Sequence, residues 1–146
     1  MLVERLLPAA RERLVTIGTA APLIDAARLL RAGTDIVVVC DPGSAIAGVV
    51  TKTDVVSQIS RCQGAGCIAP ASAAMTTDVV SCGSGDWLKD VWETMKPRRL
   101  KNIPVVDSKN RPVGVLIARD ILEFLLRDAE SEEALLRDYV MGVGYR

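Results

Sequence analysis

The sequence predicts an α/β fold (α+β) in which two βαββα copies pack about a pseudo-two-fold axis as one module. Two observations predict it. The chain repeats itself: Gly48-Val49-Val50-Thr51-Lys52-Thr53-Asp54-Val55 returns as Gly114-Val115-Leu116-Ile117-Ala118-Arg119-Asp120-Ile121. Asp41 to Asp107, Gly48 to Gly114 and Asp54 to Asp120 all span the same 66-residue step, and Leu23-Ile24-Asp25-Ala26 matches Leu88-Lys89-Asp90-Val91 at a step of 65. An internal repeat dictates architecture before any local feature does, and two copies of about 50 residues are too few for a solenoid, so they must close on each other. The second observation is periodicity. Short β-branched runs alternate with segments whose apolar residues recur at helical spacing.

Residues 1–13 read as an N-terminal helix with Leu2, Val3, Leu6 and Leu7 on one face, interrupted or kinked at Pro8. The first copy spans 14–61. Thr16 to Thr19 is extended, and Pro22 suits a first helical position ahead of Leu23, Ala26, Ala27 and Leu30. Gly33 stops that helix. Ile36 to Cys40 is a continuous apolar run, as expected of a strand covered on both faces. Asp41-Pro42-Gly43 makes a turn, Ile46 to Val50 a second strand, and Thr51 opens a helix through about Ser60. Residues 62–78 form a Gly/Ala/Ser-rich linker. The second copy, 79–128, repeats the order: Val79 to Cys82 extended, a helix from Asp86 as cap, strands Ile103 to Val106 and Pro112 to Leu116, and a helix from Ala118. Residues 129–146 hold a further amphipathic helix, with Leu135, Leu136 and Tyr139 on one side, and a tail.

Composition narrows the function. Hydrophobic residues are 49% and aromatics 3%, so the core must be aliphatic. Lys plus Arg and Asp plus Glu are 18 each, which provides no overall field for nucleic acid or an anionic membrane. Histidine is absent, removing Ser-His and Cys-His pairs and every histidine-ligated metal. Cys40 and Cys82 sit in apolar segments as small hydrophobes, whereas Cys62 and Cys67 bracket a glycine-containing stretch as two linker thiols, a redox pair or, with two further ligands, a metal site, though four intervening residues match no redox spacing and no further ligands stand nearby. Glu4 and Arg5 break any signal-peptide core, and no apolar run approaches membrane length, so a cytoplasmic protein is expected.

The duplication, the element order and a Gly-h-h-(Ser/Thr)-x-x-Asp motif closing each copy resemble the CBS domain, named after cystathionine β-synthase. Ile103-Pro104-Val105-Val106-Asp107 fits the family's h-P-V-h-D strand, and the resemblance covers residues 14 to 128. It implies a disc-like Bateman module with two clefts for adenosine-containing ligands, commonly dimeric. Carried over by position, the first cleft takes Thr51, Thr53 and Asp54 with Val80, Leu100, Lys101 and Asn102 opposite. The second takes Arg119 and Asp120 with Val15, Thr34, Asp35 and Ile36 opposite. The second departs from the pattern: Ile117 stands for the Ser/Thr, and Asp35 for the basic residue matched by Lys101. The first copy also has Val38 where the strand proline would stand.

The residue types suit a nucleotide on chemical grounds. A carboxylate can accept both hydroxyls of a ribose, each bond contributing about 1.5–3 kcal/mol, and micromolar binding needs about 8 kcal/mol. Thr51 and Asp54 open a helix, whose unpaired N–H groups favour a phosphate. Val49 and Val80 are placed to sandwich an adenine. Thr-x-x-Asp at a helix start is equally a capping box that binds nothing. The run Lys96-Pro97-Arg98-Arg99-Leu100-Lys101 either holds a polyphosphate or is a solvated basic helix end. Of Trp87 and Trp92, five apart, at most one points into the core.

Together these features point to a non-enzymatic sensor module. It would bind AMP, ADP or ATP, with NAD or S-adenosylmethionine as further candidates, require no cofactor, form a homodimer and signal to a separate regulated protein. The alternative is a ligand-free dimerisation or docking module.

Overall fold

The computed structural model describes residues 2–61 and 68–141. Cys62 and Cys67 lie outside them, as do the side chains of Leu135 and Tyr139. A 3₁₀ turn, Val3–Leu6, leads into α1 (Leu7–Arg13), with Pro8 in the first turn, where its missing N–H leaves no bond unmade. The first copy follows as β1 (Thr16–Gly18), α2 (Leu23–Leu29), β2 (Ile36–Cys40), β3 (Ile46–Thr51) and α3 (Lys52–Arg61). A short helix, α4 (Ala71–Ala74), precedes the second copy: α5 (Leu88–Arg98), β4 (Asn102–Val106), β5 (Pro112–Ile117) and α6 (Ala118–Met141).

The two copies share one strand register. β2 pairs antiparallel with β3, setting Val38 opposite Val49; β4 pairs antiparallel with β5, setting Pro104 opposite Val115. Even the irregularity recurs, between Val39 and Cys40 and again between Val105 and Val106. The leading strands differ. β1 runs parallel to β2 over three residues, whereas the expected extended segment at Val79 to Cys82 reduces to one parallel bridge, Cys82 to Val105.

Several local expectations are corrected. α2 stops at Leu29, four residues before Gly33, whose φ of 91° serves the following loop. Thr51 closes β3 rather than starting the helix, and Asp86 does not cap α5. Its carboxylate folds back to accept the Gly83 N–H at 2.8 Å, tying a tight turn, and the helix begins two residues later. α6 is one helix of 24 residues rather than two, because no glycine or proline interrupts it. Leu136 on it is exposed.

What lies between and before the copies completes them. Val3 and Ala10 of the N-terminal segment are buried in the second copy's core with Cys82, Leu88, Met95, Ile103, Leu116 and Ile121. Ala71 of α4 is buried in the first copy's core with Leu23, Ala26, Val39 and Val50. Each segment lies against the strand that ends its copy. Val49 exchanges two backbone hydrogen bonds with Thr76, at 3.0 and 2.8 Å. A Cβ on Gly48 would stand 2.7 Å from the Thr76 carbonyl oxygen, and one on Gly114 would stand 2.9 Å from the Ala10 backbone. Ala10 and Thr76 are themselves 66 residues apart, so the close approach at each glycine is the same contact made twice. Glycine is needed because only a residue without Cβ lets two backbones meet this closely.

A third cluster, Ile36, Val38, Val49 and Val115, forms the seam between the copies. Full burial of such side chains stabilises the pairing by about 1.5–3 kcal/mol each. Trp92 is half-buried against the second core and Trp87 is 57% exposed. No described helix is long and apolar enough to cross a membrane.

Candidate functional site

Antiparallel pairing places Thr51 at the end of β3 and Asp54 in the first turn of α3, where they cap the helix. The Asp54 Oδ2 accepts the Thr51 backbone N–H at 2.9 Å and its hydroxyl at 3.1 Å, and the Asp54 N–H donates back to Thr51 Oγ1 at 3.3 Å. This is a reciprocal capping box. The Thr76 hydroxyl adds a bond to Asp54 Oδ1 at 3.0 Å, fastening α3 to the segment after α4. The carboxylate thus turns toward Thr51 and Thr76, and Asp54 does not itself line the cleft beside it.

That cleft, about 530 Å³, runs between the copies at the starts of β2 and β4. Of the residues expected there, Val49, Thr51, Thr53, Val80, Leu100, Lys101 and Asn102 line it, and Asp35 and Ile36, expected in the second cleft, border it too. Its apolar walls also include Val79 and Pro104. Lys52, Arg98 and Arg99 join Lys101, opposed by Asp35 and Asp78. Lys52 lies 3.6 Å from Asp35, and Arg98 lies 3.9 Å from Asp78. Both pairs are exposed and weak, so the cations remain available to an anion. Among the described residues Arg99 and Lys101 have no ion pair. Arg99 is held in place because it ends α5 in the left-handed conformation, φ 53°. Thr76, Asp78 and Val79 were not identifiable from sequence, since the 66-residue step pairs them with the N-terminal segment and not with a motif. Lys52, between Thr51 and Thr53, had a signal in its position alone.

A second, smaller cleft of about 270 Å³ is its pseudo-symmetric counterpart. Thr34, Asp35, Ile36 and Arg119 line it as expected, with Arg13, Gly33, Asn102, Val115 and Ile117. Val15 stands outside, its carbonyl accepting the Val38 N–H at 2.8 Å. Asp120 also stands outside, its Oδ2 2.6 Å from Arg13 Nη1. Ile36 and Asn102, one step apart, border both clefts, so the two sites share a wall.

Two other hollows carry less chemistry. One of about 200 Å³ lies within the second copy beside Cys82, Trp87 and Asp90. Burial, aided by the nearby Asp86 charge, pushes the Cys82 thiol up to about 12, leaving it a protonated hydrophobe. Cys40 is only half-buried, though burial, and then Asp41, still push its thiol up. At the far ends of the strands a groove of about 730 Å³ passes Asp41 and Asp107. These carboxylates serve their own turns: Asp41 Oδ1 accepts the Ala45 N–H at 3.0 Å, and Asp107 accepts the backbone N–H groups of Arg111 and Lys109. Those bonds, the Arg111 N–H first, hold the Asp107 carboxyl below its ordinary range.

The family model for the CBS domain matches this chain twice, over residues 3–61 and 71–127. No curated protein matches it in sequence. Among solved structures, a CBS-domain containing protein from Agrobacterium tumefaciens is similar at 27% identity and a TM-score of 0.70, over 84% of this chain and 91% of that one. CBSX2, solved in complex with AMP, is similar at 20% identity and a TM-score of 0.73, over 88% and 98%. The CBS domain pair of protein MJ0100, solved with 5'-methylthioadenosine and S-adenosyl-L-methionine, is similar at 19% identity and a TM-score of 0.72, also over 88% and 98%. With the duplicated register, the shared seam and both family matches in agreement, the chain belongs to the CBS domain family and carries two copies of that domain.

Proposed function

We propose that this CBS pair is a regulatory module without catalytic activity that binds an adenosine-containing ligand in the larger cleft and transmits its occupancy to a separate protein. One observation carries the proposal: apolar strand ends that suit an adenine lie in the same cleft as four cations set against two carboxylates. That excess favours charged tails, so AMP, ADP and ATP rank ahead of NAD and S-adenosylmethionine. The structures solved with AMP and with S-adenosyl-L-methionine support the ligand class. Asp54 takes part through its remaining capacity. A carboxylate has about four acceptor positions and three are used, so a ribose hydroxyl can join or exchange with Thr76.

The exposed apolar residues of the closing helices support a homodimer. Val56 and Ile59 on α3 and Leu122 and Leu126 on α6 are exposed at 42–65%. Val56 and Leu122 occupy the same position in the two copies, so a second molecule meets one repeated apolar surface.

One observation favours the alternative of a ligand-free docking module: the Asp54 carboxylate is already engaged as a helix cap. Calorimetric titration with AMP, ADP, ATP, NAD and S-adenosylmethionine separates the two. The sensor requires at least one to bind, with Lys101→Ala weakening it about tenfold or more through a lost charge-assisted bond. No binding by any of the five, with oligomeric state intact, leaves the docking module.

A further inference from the structure

We infer that Arg13 is an internal latch on the smaller cleft: its guanidinium engages the Asp120 carboxylate that a ribose would need, and ties the end of α1 to the start of α6. The inference rests on the adenosine-binding role proposed above and on a difference between the copies. In the first, Asp54 takes hydrogen bonds from the Thr51 and Thr76 hydroxyls. One 66-residue step away those positions are Ile117 and Ala10, and neither carries a hydroxyl. Asp120, the counterpart of Asp54, lacks both donors while its side chain is only 22% exposed. A part-buried carboxylate without those donors favours a cationic partner. Arg13 supplies the pair, at 2.6 Å from Nη1 to Oδ2. Its own counterpart in the first copy is Val79, so the larger cleft has no such latch.

The pair is built to yield. Arg13 Nη1 is buried and close to the oxygen, yet among the described residues no acceptor lies along its hydrogen-bond directions. The contact is ionic and misaligned, and the Arg13 side chain is 33% exposed. Such a pair weakens a competing ligand about two- to tenfold and does not exclude it. Arg13 is also the last residue of α1, and it lines the smaller cleft with Arg119 and Thr34. A ligand that takes Asp120 therefore displaces Arg13 and loosens the N-terminal helix from the second copy. Occupancy of this cleft thereby frees the C-terminal end of α1, while Val3 and Ala10 keep the rest of the segment in the second core.

Titration of the whole chain with AMP, followed by backbone NMR, reports each cleft separately through Thr34 and Ile117, or Thr76 and Val80. Arg13→Gln should tighten AMP at the smaller cleft about two- to tenfold and leave the larger one unchanged. Unchanged affinity there, no binding there in either protein while the larger cleft fills, or weaker binding overturns the latch; the last would make Arg13 a phosphate ligand instead. Hydrogen exchange without ligand is the second arm. Arg13→Gln and Asp120→Asn should each speed exchange of the Glu12 and Leu14 amides about two- to fivefold, and the double variant no further. Unchanged or additive rates overturn it. AMP bound at neither cleft of either protein would end the adenosine role, and the exchange arm would still decide whether Arg13 holds Asp120.

Discussion

Replacing Gly48 by alanine drives a methyl group into the backbone that joins β3 to the segment after α4. The new Cβ would lie 2.7 Å from the Thr76 carbonyl oxygen and 2.8 Å from the Met75 sulfur. Ordinary carbon–oxygen contact is about 3.3–3.6 Å, so β3 and Thr76 must separate by roughly 0.6–0.9 Å. That strains the two Val49–Thr76 hydrogen bonds, now 3.0 and 2.8 Å, past useful length. Two backbone bonds at about 0.5–1.5 kcal/mol each, with part of an overpacking cost of about 1–3 kcal/mol, outweigh the roughly 0.4–1 kcal/mol gained from a stiffer unfolded chain. The net loss is about 2–3 kcal/mol, or about 4–12 °C in Tm for a chain of this size. Thr76 also lines the larger cleft and holds Asp54, so ligand affinity should fall with stability. Urea unfolding of Gly48→Ala beside Gly18→Ala makes the measurement, because nothing lies within 4 Å of a Cβ at Gly18. If Gly48→Ala stays within about 0.5 kcal/mol of the parent, or Gly18→Ala loses as much, the close approach is not what glycine provides there.

Leu88→Ala, at a fully buried position of the second core, should cost about 2–5 kcal/mol in the same unfolding assay; a loss under 1 kcal/mol would mean the core collapses around it. The Cys82 thiol, pushed up to about 12, should resist a maleimide at pH 8 in the folded protein and react on unfolding. Asp107 has a folded-state pKa lowered by its turn hydrogen bonds, so its stabilising contribution is present above the unfolded value of about 3.9 and is lost as pH falls through the folded one. Carboxyl-detected NMR should place its midpoint below that of an ordinary aspartate, and Asp107→Asn should abolish the effect.

The two-copy architecture was legible in the chain because a repeat and a period are properties of residue order. Gly48 and Gly114, the β-branched runs at Ile36 and Ile103, and the Thr51–Asp54 spacing needed no fold to be read. The cap at Asp86 failed because an aspartate three residues after Gly83 satisfies its own turn as readily as a helix end. The break expected in α6 failed for a related reason: Ser131 only weakens a helix and does not stop one. Residue order alone determined which side chains are equivalent, and so that the chain carries two like sites with unlike capping residues. Only the tertiary structure decided what each site contains. Whether the carboxylate at 54 or 120 meets a hydroxyl, an arginine or an open cleft depends on segments about 20 and 100 residues away, Thr76 and Arg13, which packing carries across to them. Such long-range contacts are set by burial of the apolar faces of α1 and α4, a property of the closed pair that no local spacing encodes.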